Sequence, residues 1–390
     1  MNEQHLSLAE ILAALSHALD LTEGQPDGHT IRSCLIGMRL AETLELDEAQ
    51  RACLYYALLL KDAGCSAYAA PIARRERGAE IVRQLGFPDA TARAVYALDE
   101  HWNGGGHPDG LAGEEIPTLA RIASIAQTVD VFAVARGVDA TMAMLRDRRG
   151  RWFEPRLVDE VLTWRTDRAW WALMRGAEAT DAVLEAEPDD RLRSVDADGL
   201  DSIAGAFAEI IDARSPYTSS HSRGVARYAV AIGHQMGLEA VELRDLRRGG
   251  LLHDIGELGV SSRILDKPGA LTRQERTAIE RHPAYGWRIL KRVRAFRSFA
   301  WEAVLHHERL DGGGYPWGID ASELGLATRI LSAADVFEAL TARRPYRDPV
   351  PPMAALGILH RERGNAFDAE VVAALDAALT SGSDEVLGAA

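Results

Sequence analysis

The chain repeats itself once, and that repetition confines it to a fold that can be built twice from the same elements. GHTIRSCLIG around His29 aligns with SHSRGVARYA around His221, and LLLKDAG around Asp62 with GLLHDIG around Asp254, both displaced by 192 residues. HWNGGGHP and RLDGGGYP follow at a displacement of 208, and VDVFAV and ADVFEA at 205. Four landmarks kept in one order imply duplication of a whole domain rather than a solenoid of short units. The growth from 192 to 208 falls where the second copy carries KPGALTRQER, so the first copy has the shorter connection there.

Both copies read as helical. Leu8, Ile11, Leu12 and Leu15 recur at helical spacing, as do Ile203, Phe207, Ile210 and Ile211 after an acidic start at Asp198 and Asp201. No alternating run suggests a strand, so the expected fold is all-α, two tandem helical bundles. The stretch EAEPDDRLRSVDADG is polar and carries Pro and Gly. It divides the chain into a first domain over 1–184, a linker over 185–199 and a second domain over 200–390.

A charge of −14 excludes broad attraction to DNA or an anionic membrane, because both need clustered excess Lys and Arg. An anionic ligand therefore needs a local positive centre. The three cysteines, Cys34, Cys53 and Cys65, have no CxxC spacing and read as reduced, buried thiols. The first residues, MNEQHLSLAE, lack a basic segment followed by an apolar one, and no run approaches the roughly 18 apolar residues of a membrane span. The expected location is the cytoplasm.

The second copy gathers residues suited to metal. His253 and Asp254 are adjacent after an apolar run, and His306 and His307 are adjacent before the turn DGGGYP. Neutral imidazole and carboxylate are the usual ligands of iron, manganese and zinc. A carboxylate can bridge two ions and an imidazole nitrogen cannot, which makes Asp254 the natural bridge. With His221 upstream, His282 between and Asp335 in a later apolar context, about seven ligands are available, enough for two ions with positions left for water.

These residues resemble the HD-GYP subgroup of the HD-domain metal-dependent phosphohydrolases. The likeness runs over about residues 199 to 379 and is carried by YTSSHSRGVA, LLHDIGELGV, ILDKPGALT, RHPAYGWRIL, HHERLDGGGYPWG and ADVFEALTARRPYR. The resemblance implies hydrolysis of a cyclic dinucleotide, chiefly cyclic di-GMP, by two divalent transition-metal ions, iron first and manganese or zinc as alternatives. It implies that His221, His253, Asp254 and Asp335 surround one ion and that Asp254, His282, His306 and His307 surround the other. Asp254, aided by His253, is the expected catalytic group, while Tyr315, Arg344 and Arg347 are expected to approach the substrate. Tyr217 stands where trinuclear relatives carry an acid four residues before the first histidine, which favours a binuclear centre.

Several positions depart from the family pattern. Glu257 replaces the lysine that usually follows HDIG, Ser215 stands for an Asp, and Glu338 for the Asp of DVFDAL. A carboxylate in place of a cation near an anion weakens binding by about 1.5 to 3 kcal/mol. The first copy departs further. His29, Asp62 and Asp130 are kept, but Lys61, Arg74, Leu98 and Asp99 replace His253, His282, His306 and His307, and His107 replaces Tyr315. His101 is a lone histidine near a turn. Two ligands have become cations, so the first copy is expected to be degenerate, a structural or regulatory domain that packs on its sister or supports a homodimer. Two other readings stay open at this point: a receptor that binds a cyclic dinucleotide without turnover, and a phosphohydrolase for another nucleotide.

Overall fold

The computed structural model describes residues 6–23, 25–64, 71–188, 194–213, 220–265, 267, 269–343 and 348–381. The chain divides into two compact units, Met1–Gly199 and Leu200–Ala390. Both are helical. The one paired ladder among the described residues is two residues long on each side, Leu6–Ser7 against Ser194–Val195, antiparallel. The stretch expected as a linker, 185–199, falls within the first unit. Buried Glu187 accepts hydrogen bonds from the Ala9 backbone N–H at 3.2 Å and the Tyr56 hydroxyl at 3.2 Å.

Periodicity places the core. Leu8, Ile11, Leu12 and Leu15 are buried in the helix Leu8–Glu23, and Ile203, Phe207, Ile210 and Ile211 in the helix Ala197–Asp212. Helix starts are set by side-chain caps: Asp47 and Gln50 exchange bonds before Glu48–Leu60, and Thr272 and Glu275 before Arg273–Ile279. Cys34 and Cys53 are buried and free, and burial pushes the Cys34 thiol up; Cys65 lies outside the described residues. Among the described residues, Thr118–Arg136 is long and apolar enough to span a membrane by length and composition alone. Its Ile122, Ile125, Ala126 and Val129 are instead core residues, and its buried Asp130 pairs with Arg32.

The repeat seen in sequence recurs as local structure. Asp20 Oδ1 accepts from Thr30 N at 3.0 Å and Oγ1 at 2.6 Å, and Asp212 Oδ1 accepts from Ser222 N at 3.3 Å and Oγ at 2.7 Å. Glu100 accepts from the backbone N–H groups of Asp109 and Gly110, and Glu308 from those of Trp317, Gly318 and Ile319. These pairs stand 192 and 208 residues apart, the displacements of the motifs.

Burial pushes the Asp20 carboxyl up to about 6 against the opposing bond from Thr30. The folded chain therefore keeps a proton there that the unfolded chain has released. Stability from this group is complete below the unfolded value near 4 and is lost as pH rises through about 6. Asp20→Asn keeps an acceptor for Thr30 without the charge. It is expected to be more stable than the parent at pH 7 by about 1 to 3 kcal/mol and equal at pH 4. Urea denaturation at the two pH values checks this, and a pH-independent difference refutes it.

Candidate metal centre

The seven expected ligands lie mostly at helix ends. His221 opens the helix His221–Gln235, and His253 is the C-cap of Ala240–Leu252 with Asp254 next. His282 opens His282–Leu290, while His306 and His307 follow Ala300–Val304. Asp335 lies on the buried face of Leu326–Thr341. A Cβ on Gly256 would lie 1.8 Å from the His282 carbonyl oxygen, so glycine alone lets the turn after Asp254 close against that helix start. Gly314 does the same beside the HH pair, where a Cβ would fall 2.5 Å from the Cα of Glu308.

The structure brings all seven together in two groups. His221, His253 and Asp335 form one, and Asp254, His282, His306 and His307 the other. Asp254 faces both. Its Oδ2 lies 3.0 Å from His253 Nε2 and 3.7 Å from His221 Nε2, and its Oδ1 lies 3.2 Å from His282 Nε2 and 3.4 Å from His306 Nε2. Asp335 Oδ1 is 3.3 Å from His221 Nε2, and its Oδ2 is 3.9 Å from His307 Nδ1. Donors each about 2.0 to 2.2 Å from one ion sit about 3 to 3.5 Å from each other, which is the spacing found here.

The ring nitrogens are sorted by their other partners. His253, His282 and His306 each point Nδ1 at the carbonyl oxygen three residues earlier, Gly250 at 2.8 Å, Ile279 at 2.9 Å and Ala303 at 2.8 Å. His221 Nδ1 makes a short hydrogen bond to Glu338. A ring that donates from Nδ1 offers Nε2 as its ligand atom, and four Nε2 atoms converge here. His282 and His306 bring theirs within 3.3 Å. Two atoms at the centre, His253 Nε2 and Asp254 Oδ1, are buried without a hydrogen bond despite these short separations. Contact without bonding geometry among buried acceptors is what a cation relieves. The residues fit metal ions.

The electrostatics agree. Burial opposes charge on His253, yet the adjoining Asp254 carboxylate overrides it and raises the ring to about 9. Despite burial, Asp254 and Asp335 are held below the usual carboxylate range by the imidazoles around them. Burial holds His307 well below its ordinary value, so it is neutral. The centre draws its positive charge from imidazoles that Asp254, Asp335 and Glu338 hold protonated. It opens into a cavity of about 340 Å³ lined by His221, Asp254, His282, His307 and Asp335 together with Ile279, Val336, Ala339 and Leu340. Glu257 also lines it; burial, then Asp254, pushes its carboxyl up to about 7. Tyr315 stacks on His307, ring centres 4.7 Å apart, and burial pushes its phenol up. Arg344 and Arg347 lie outside the described residues.

In the first unit the corresponding positions are closed by ion pairs. Lys61 is buried against Asp62, and Arg75 pairs with Asp99 at 2.6 Å. His29 turns Nδ1 to Asp130 at 2.7 Å. His101 stacks on Trp152. Among the described residues, both groups able to hold an ion lie in the second unit. Sequence reasoning did not find the outer partners: the three carbonyls, and Glu338 as the acceptor for His221. The regular step of three residues back was available for the carbonyls, whereas nothing local links His221 to a residue 117 positions away.

The family model described as HD domain matches residues 73–157 and 205–371. The chain is 37% identical to "3'3'-cGAMP-specific phosphodiesterase 3" of Vibrio cholerae serotype O1, over 97% of this chain and 96% of that protein. It is also 37% identical to "Cyclic di-GMP phosphodiesterase response regulator RpfG" of Xanthomonas campestris pv. campestris, over 43% of this chain and 45% of that one. Among solved structures, a cyclic GMP-AMP specific phosphodiesterase of V. cholerae, V-cGAP3, superposes with a TM-score of 0.73 at 36% identity, covering 98% of this chain and 99% of that chain.

Proposed function

The chain belongs to the HD domain family and is a phosphodiesterase, and from that premise we propose that its second unit hydrolyses a cyclic dinucleotide at a binuclear centre bridged by Asp254. The observation that carries this reading is the division of Asp254, one oxygen toward each group of imidazoles. The relative named for 3'3'-cGAMP, matched over 96% of its length, supports a mixed guanine and adenine substrate over the cyclic di-GMP suggested by motif resemblance alone.

Two ions bound here would neutralise phosphoryl charge and activate water at neutral pH. The protein's own groups do the rest. His221, His253, Asp254 and Asp335 would hold one ion, and Asp254, His282, His306 and His307 the other; iron, manganese and zinc all suit these donors. Tyr315, its phenol protonated and its ring fixed on His307, forms a flat wall against which a base can lie. Val336, Ala339 and Leu340 add apolar surface to the lining of the same cavity. Arg344 and Arg347 remain the proposed phosphate partners, because an arginine fork matches phosphoryl oxygens.

Glu257 works against an anionic substrate. Ions bound beside it would favour its carboxylate form. Glu257→Gln is therefore expected to lower KM by roughly tenfold, the energy of one charge-assisted contact at about 1.5 kcal/mol. Steady-state kinetics of the two forms check it; an unchanged or raised KM rejects the repulsion.

Incubating the metal-loaded chain with 3'3'-cGAMP and with cyclic di-GMP, and separating the products, tests the reading as a whole. Linear product from both, with kcat/KM at least tenfold higher for the mixed nucleotide, is expected. A preference for cyclic di-GMP overturns the substrate choice. Tight binding without product overturns hydrolysis and leaves a receptor.

A further inference from the structure

Four imidazoles turn Nε2 toward the centre, and three of them are held by carbonyl groups of their own turn. His221 is the exception. Its Nδ1 is held by a carboxylate from another helix, Glu338, itself buried. The room for that carboxylate comes from Gly224, one turn along the His221 helix, where a Cβ would fall 2.6 Å from Glu338 Cγ.

The first unit contains the same histidine without this arrangement. On the alignment that pairs His29 with His221 and Asp130 with Asp335, Gly224 corresponds to Arg32 and Glu338 to Ala133. In one copy the charged side chain comes from the later helix and the small residue from the earlier. In the other the order is reversed, and so is the sign of the charge. Arg32 takes both oxygens of Asp130, Nε to Oδ1 at 2.6 Å and Nη2 to Oδ2 at 3.2 Å. With no carboxylate behind it, His29 points Nδ1, not Nε2, at that aspartate.

We propose that Glu338 is the positioning residue that makes His221 a metal ligand, and that the exchange of Gly224 and Glu338 for Arg32 and Ala133 is what converts this corner of the fold from an ion site to a closed ion pair. The inference rests on the metal-centre reading above and names the pair of positions that controls it. Glu338 is not part of the cavity lining. It accepts the hydrogen bond from Nδ1–H, fixes the ring, and leaves Nε2 directed at Asp335 and Asp254, whose oxygens lie 3.3 and 3.7 Å away. A carboxylate behind a ligating imidazole also makes it a stronger donor than a carbonyl does. The His221 group is therefore the one whose affinity depends on a single outer residue.

The test uses the full chain as Glu338→Ala, Glu338→Gln, Glu338→Asp and Gly224→Ala. Metal content and chelator competition are measured with manganese and with zinc. Glu338→Ala is expected to weaken one of two bound ions by about 10- to 100-fold while the other keeps its parental affinity. Gly224→Ala, which displaces the carboxylate, shifts the same ion in the same direction. Glu338→Gln falls between alanine and the parent, and Glu338→Asp restores much of the loss, an ordering that a merely space-filling side chain would not produce.

A second readout needs no metal. In the metal-free protein with 15N-labelled histidine, His221 in Glu338→Ala is expected to exchange its ring-nitrogen pattern for that of His29. Parental affinity for both ions in Glu338→Ala, with unchanged His221 ring signals, overturns the proposal and leaves the metal centre standing. A parent chain that takes up neither metal overturns the centre itself, and the ring-nitrogen comparison then still decides whether Glu338 orients His221. Thermal melts of the metal-free variants separate either result from loss of folding, and Glu338→Gln keeps the test open should alanine fail to fold.

Discussion

Asp254→Ala is expected to strip metal from both groups at once and to lower phosphodiesterase activity by at least about 10³-fold, whereas Asp62→Ala leaves metal content as it was. The asymmetry follows from geometry. Asp254 is within 3.0 to 3.7 Å of four imidazole nitrogens, two through each oxygen, so its loss removes one donor from each ion position. The remaining histidines, with His282 and His306 only 3.3 Å apart, then face one another without the negative charge that makes a cation welcome between them. Losing a single electrostatic partner at a reacting centre already costs about 10² to 10³ in rate, and here the ions that activate the nucleophile leave as well. Asp62 has the same place in the repeat but pairs with Lys61, a cation the chain carries with it. Elemental analysis of the two variants after identical loading decides the matter. Equal loss in both would mean that the units share the work.

Much of this centre was legible before any coordinates. Adjacent HD and HH pairs, a fourth and fifth histidine and a late aspartate in an apolar run supply a candidate ligand set whose members need one another. Helical periodicity located Ile203, Phe207 and Ile211 in the core because a stripe every three or four residues has one buried side. What escaped was whatever depends on distant chain segments meeting. Glu338 stood out only as a departure from a pattern, and its bond to His221 crosses 117 residues. Arg32 carried no signal at all until Asp130 was found beside it. The ladder Leu6–Ser7 with Ser194–Val195 is too short to leave an alternating pattern. Glu187 reads as linker because it is charged and near proline, yet it is buried by its bonds to Ala9 and Tyr56.

Lys61→Met is expected to destabilise the first unit by about 3 to 5 kcal/mol and to leave metal content unchanged. Lys61 is 1% exposed, its ammonium lies on the Asp62 carboxylate, and Arg75 donates to its backbone carbonyl at 3.0 Å. Burial works against a charged Asp62, but Lys61 and then His29 hold it below the usual carboxylate range. Removing the ammonium leaves the buried Asp62 charge without its nearest cation, which is the costly way to break such a pair. Replacing both members with apolar side chains of similar volume removes the charge with its partner and is often neutral. The double variant Lys61→Met with Asp62→Leu should therefore recover most of the loss. Hydrogen exchange of amides in the helix Glu48–Leu60, followed in urea, reports on this unit without interference from the second. If Lys61→Met costs less than about 1 kcal/mol, the ammonium is not replacing a cation. If the double variant is as unstable as the single, packing rather than charge holds the corner together. The expected pattern, a large single effect that the second substitution cancels, identifies the first unit as one that neutralises its buried aspartate with a lysine where its duplicate is built to use metal.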